Sequence, residues 1–137
     1  MNMSVINITE IKSIINNLSY EEVKQKTSNL SITIKEKQTE DHGNLYMLVS
    51  DKSTSEDNII QNQCNGLILE KESNNLVCAC YNRIKDLDID QYEKTIKSFS
   101  DVRTEYCEDG TMIRLYNYKN QWYTATARCI DARDSIW

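Results

Sequence analysis

Residues 30–35, Leu-Ser-Ile-Thr-Ile-Lys, alternate apolar and polar side chains with a period of two. Successive side chains of a strand point to opposite faces, so an extended chain puts these apolar groups on one side. Further strand segments are read at 45–49, 66–70, 76–81, 102–106, 111–118 and 121–127. Turn chemistry separates several of them: Asp41-His42-Gly43-Asn44, Ser73-Asn74-Asn75, Asp109-Gly110 and Lys119-Asn120. Asn, Asp and Gly tolerate the left-handed backbone of tight hairpins. Strands joined by such short turns pair antiparallel.

A second period appears before residue 30 and again near residue 90. Ile11, Ile14, Ile15 and Leu18 fall at the spacing of one buried helix face, with Thr9 as the expected cap. Ser19, followed three residues later by Glu22, reads as a capping box opening a second helix, whose apolar contribution, Tyr20 and Val23, is thin. Ile89, Tyr92, Ile96 and Phe99 give helical spacing to 88–99, and Asp131 to Trp137 reads as the beginning of another helix. Residues 51–58, Asp-Lys-Ser-Thr-Ser-Glu-Asp-Asn, read as a polar loop without function. The expected class is α+β, antiparallel β hairpins with two N-terminal helices. One domain is expected over 1–137, helical over 1–29 and mainly strands over 30–137, with the abrupt ending of a piece of a longer domain.

Composition narrows the function. The net charge of −5 gives no bulk attraction for nucleic acid, so any RNA contact must be a local patch. No apolar run is long enough for a membrane span, and the first residues lack the basic and apolar regions of an export signal. With five cysteines, an odd number, the expectation is a cytoplasmic protein with reduced thiols and no membrane association.

Cys78 and Cys80 lie two apart, hence on one strand face, where Cys64 from the partner segment could join them. The C-x2–4-C and H-x3–5-H spacings of zinc sites are missing, so buried free thiols are expected and no metal is assigned. His42, the only histidine, sits in a turn, with nothing to bring it to Cys107 as a catalytic pair. Tyr116, Tyr118, Trp122 and Tyr123, interleaved with Arg114, Lys119 and Arg128, suit either base stacking with phosphate contacts or ordinary strand packing. Strand packing is the favoured reading for so acidic a chain.

Two segments together resemble the nucleotidyltransferase domain shared by RNA ligases, DNA ligases and mRNA capping enzymes. One is 64–87, where Asn65-Gly66-Leu67-Ile68-Leu69 is similar to the family's R-G-aliphatic strand and Tyr81-Asn82-Arg83-Ile84 to its P-x-x-K-F segment. The other is 104–129, where Cys107-Glu108-Asp109-Gly110-Thr111 stands for K-x-D-G-[S/T] and Arg128 ends the following hairpin. The tail from Trp122 to Trp137 is similar to ligase-like proteins of large DNA viruses.

The resemblance implies ATP or GTP with Mg²⁺ bound between two sheets, and lysine attack on the α-phosphorus to form a nucleotidyl-enzyme passed to a 5′-phosphate end. It implies nucleotide contacts at Glu108, Asp109, Gly110, Arg114 and Arg128. The sequence departs from the pattern at the lysine, where Cys107 stands, and at Asn65, where arginine is common. It also ends before the family's later metal-binding and phosphate-binding segments. The carboxylates of Glu108 and Asp109 disfavour a thiolate at Cys107, so no catalytic residue is assigned. The expectation is an RNA-ligase-like protein that is inactive as given, with residual nucleotide or RNA binding. Part of an active ligase or capping-type enzyme, and a small non-enzymatic α+β interaction module, are the alternatives.

Overall fold

The computed structural model describes residues 7–37, 43–50, 58–81, 87–100, 102, 106 and 108–136. The chain begins with helices α1 (Thr9–Ile15) and α2 (Tyr20–Ser28) and strands β1 (Ile32–Glu36) and β2 (Leu45–Ser50). Helix α3 (Ile59–Gln63), strands β3 (Asn65–Glu70) and β4 (Leu76–Cys78) and helix α4 (Ile89–Ile96) follow. Strands β5 (Arg114–Tyr118) and β6 (Gln121–Ala125) precede a 3₁₀ turn, Ala132–Asp134. Four strands form one antiparallel sheet in the order β1-β2-β3-β4, and β5-β6 form a separate antiparallel hairpin. The α+β expectation holds at this level.

The sheet is covered on both faces. Tyr46 and Leu48 of β2, with Leu67 and Leu69 of β3, pack against Ile11, Ile15 and Val23 of the helices. Leu45, Met47, Val49 and Ile68 face the hairpin side chains Tyr116, Tyr118, Tyr123 and Ala125. Every residue of β2 is therefore buried, and Leu45-Tyr46-Met47-Leu48-Val49 shows no alternation because neither of its faces meets water. Burying each such side chain contributes about 1.5–3 kcal/mol.

Local signals explain the elements. The Ser19–Glu22 capping box is present at α2, and an Asp88–Gln91 box opens α4. Thr9 does not cap α1. Its own backbone N–H donates to the Asn7 carboxamide, so Asn7, two positions earlier, supplies the oxygen. Lys119 and Asn120 both take positive φ, the geometry of a two-residue hairpin turn. In the β3–β4 turn Asn74 has φ 53 and its side chain donates to the carbonyls of Ile15 and Leu18 while accepting from the Tyr46 hydroxyl. One asparagine thus ties the turn, the C-terminal end of α1 and the central strand together.

Several expected elements differ. The β4 strand stops at Cys78, short of Tyr81, and β5 begins at Arg114, beyond Thr111. Among the polar residues before α3, Asn58 caps that five-residue helix, which has no helical apolar pattern of its own. The tail forms a 3₁₀ turn capped by Asp131. Helix α4 buries none of its residues, leaving Ile89 and Tyr92 exposed. Of the expected strand at 102–106, the described residues Val102 and Tyr106 are not in a strand. Among the described residues no helix is long and apolar enough to cross a membrane.

Candidate functional site

The segment that carries the ligase resemblance leads into β5. Cys107 lies outside the described residues, as do His42 and residues 82–86. Glu108, Asp109 and Gly110 are exposed, and a Cβ at Gly110 would meet nothing within 4 Å. The chain then turns inward at Arg114, which is 8% exposed.

Arg114 is held by backbone carbonyls. Its Nη1 donates to Gly66 O at 2.6 Å and its Nη2 to Thr126 O at 2.5 Å, while the buried Nε has no hydrogen-bond partner among the described residues. Gly66 is the extra residue of a β-bulge, because Leu48 pairs with Leu67 but Val49 pairs with Asn65. Its φ is +80, and a Cβ there would lie 2.6 Å from Ala127 O. The bulge brings β3 against the loop after β6, and Arg114 closes the junction. Arg128 lies in that loop, where its Nη1 donates to Ser50 O at 3.0 Å and its own carbonyl accepts from Lys35 Nζ at 2.9 Å. Arg114 and Arg128 thus meet one junction, where both hold backbone carbonyls of the sheet and hairpin.

The space between sheet and hairpin is filled by Leu45, Met47, Val49, Ile68 and three tyrosines. Tyr116 and Tyr123 stack with ring centroids 5.6 Å apart, and Tyr116 donates its hydroxyl to Ile130 O at 3.0 Å. Burial pushes the Tyr116 hydroxyl above the usual tyrosine range. A nucleoside triphosphate needs cationic side chains free to meet its phosphates, and Arg114 is committed to carbonyls. The described residues between these layers therefore do not fit the triphosphate that the ligase resemblance implies.

The hairpin's outer face differs. Trp122 is 65% exposed and Leu115 66%. Both line a concavity of about 270 Å³ with Gln121, Thr124, Asp131 and Arg133. Period two predicts this division, because Trp122 and Thr124 share the face opposite Tyr123 and Ala125. Trp122 therefore does not join Tyr116, Tyr118 and Tyr123, with which its position in the aromatic run associates it. Nor does the sequence pattern single out Asp131, which is buried and accepts from Lys37 Nζ and Arg133 Nη2, each at 2.6 Å. The Arg133 guanidinium, aided by Lys37, holds the Asp131 carboxyl well below the usual carboxylate range.

The thiols separate by sheet face. Cys64 packs with the helices, where burial pushes its thiol up to about 12. Cys78 packs against the hairpin-side core, and burial raises its thiol as well. The bulge reverses which face each residue takes, so the three thiols do not share one point. Cys64, Cys78, Cys80 and Cys129 are free. No group of three His, Cys, Asp or Glu among the described residues is placed to hold a metal. The chain matches no known protein family, no curated protein and no solved structure.

Proposed function

We propose that this chain is a relative of the ligase-type nucleotidyltransferases that does not nucleotidylate itself and retains binding of nucleotide or RNA. The observation that carries the reading is the contact between the two segments on which the resemblance rests. Arg114, four residues beyond Gly110, donates to Gly66 in the Asn65-Gly66-Leu67-Ile68-Leu69 strand. A sheet and a hairpin then lie face to face around that contact.

Catalysis fails on chemistry. A lysine amine forms a phosphoramidate, and ATP or GTP with Mg²⁺ would supply the nucleotidyl group. Cys107 has no amine to offer. Binding is assigned to the outer face of the hairpin. Trp122 offers an indole for base stacking and the hydroxyl of Thr124 and amide of Gln121 offer hydrogen bonds, with Arg133 beside them. Stacking on an exposed aromatic contributes about 1–3 kcal/mol per base.

A second reading, a non-enzymatic α+β interaction module, is favoured by α4, whose Ile89 and Tyr92 face solvent. Titration of the full chain with a fluorescein-labelled single-stranded RNA at low salt separates the two. The ligase-derived reading expects saturable binding that Trp122→Ala weakens about tenfold. Absence of RNA binding together with absence of ATP and GTP binding by calorimetry rejects it in favour of the interaction module.

A further inference from the structure

Among the described residues the outer edge of β1 has no strand beside it, and the direction of its backbone groups can be read from its neighbours. Asn44, just before β2, has its O accepting from Lys71 N at 2.8 Å, and Ser50 at the end of β2 has its N donating to Cys64 O at 2.9 Å, so both residues direct their backbone groups toward β3. In an antiparallel strand the N–H and C=O of one residue point the same way, and the direction alternates along the chain. Met47 and Val49 therefore turn toward β1, where they pair with Lys35 and Thr33. Ile32, Ile34 and Glu36 must then direct their backbone N–H and C=O groups away from β2. Among the described residues no strand pairs with that edge.

Beside the edge runs a groove of about 330 Å³, lined by Lys24, Thr27 and Ser28 of α2 and by residues 31–34. Ile32 and Ile34 line it where they join the helix-side core, and its charged lining residue is Lys24. Donors and acceptors repeating at every second residue are met by one kind of molecule, an extended polypeptide. The helix-flanked groove supplies space for that peptide's alternate side chains.

We propose that the outer edge of β1 and the groove between it and α2 bind an extended, acidic peptide segment of a partner protein as a fifth strand. Its apolar side chains enter the groove over Ile32 and Ile34, and its carboxylate meets Lys24. A second copy of this chain is a poorer occupant, because the acid on its β1, Glu36, is already paired with Lys71 at 2.6 Å and accepts from Tyr20.

Amide hydrogen exchange on the full chain tests this, using as probe a blocked seven-residue peptide that alternates valine and glutamate. The peptide is expected to slow exchange at Ile32, Ile34 and Glu36 while leaving Thr33 and Lys35, already in the ladder, little changed. N-methylation of the peptide at alternate residues is expected to weaken binding about tenfold or more. Ile34→Pro removes an outward donor that the β1–β2 ladder does not use, so it is expected to fold and lose the protection. Lys24→Glu is expected to exchange preference to a valine–lysine peptide. The proposal is overturned if millimolar peptide protects none of the three amides, or if N-methylation changes nothing. It is equally overturned if those amides are protected without peptide in proportion to protein concentration, which would make a second copy the occupant.

Discussion

Arg114 donates to the carbonyl of Gly66 at 2.6 Å across 48 positions of sequence, joining the first residue of β5 to the bulge of β3. The same guanidinium holds Thr126 O, so one buried side chain fixes the hairpin to the sheet. Replacing Arg114 by Met leaves two buried carbonyls unpaired. Arg114→Met is expected to lower stability by about 2–4 kcal/mol, seen as a lower urea midpoint at unchanged slope. Arg114→Lys is expected to recover only part, because a single ammonium does not match the planar fork. Unchanged stability in both variants would return this arginine to the set available for phosphate.

Gly66 is required twice over, by its φ of +80 and by the Ala127 carbonyl that a Cβ would strike. Gly66→Ala is expected to cost about 2–4 kcal/mol, from left-handed strain and from displacing backbone. Gly110→Ala meets open space and lacks the steric part, so thermal unfolding is expected to rank it clearly above Gly66→Ala.

Asp131 makes folding sensitive to acid. Its carboxyl is held below the ordinary range, so the unfolded chain binds a proton at higher pH than the folded one. That stabilisation is complete well above the unfolded value of about 3.9 and is lost progressively as pH falls below it toward the depressed folded value. Urea midpoints measured from pH 7 down to pH 2 are expected to fall steeply below about pH 5. Asp131→Asn is expected to be less stable at pH 7 by about 1–3 kcal/mol and to show a shallower decline. A parallel decline in both proteins would contradict the assignment.

The hairpins and the first two helices were legible because their causes are local. Alternation, the Ser19–Glu22 box and the Lys119-Asn120 turn each act within a few residues. What was not legible depends on packing between layers. Ile89, Tyr92, Ile96 and Phe99 fall on one helical face, as Ile11, Ile14, Ile15 and Leu18 do. Yet α1 is buried against β2 and β3 while α4 buries nothing, and the spacing alone cannot report which sheet face is already covered. The site followed the same rule. Sequence placed Arg114 and Arg128 among nucleotide contacts because the resemblance puts cations there. Their carbonyl partners, Gly66, Thr126 and Ser50, come from three separate segments. The outward position of Trp122, by contrast, was available from the alternation of β6.

On the proposed function, Cys107 in place of lysine leaves the chain able to bind RNA but unable to form a nucleotidyl-enzyme. Incubation with α-labelled ATP or GTP and Mg²⁺, followed by denaturing gel electrophoresis at neutral to alkaline pH, where a phosphoramidate survives, tests this most directly. No label that survives denaturation is expected on the protein, in conditions where the chain still binds RNA. Label on the native chain that survives denaturation and alkali but is released by acid would contradict it and restore the reading of an active ligase-type enzyme.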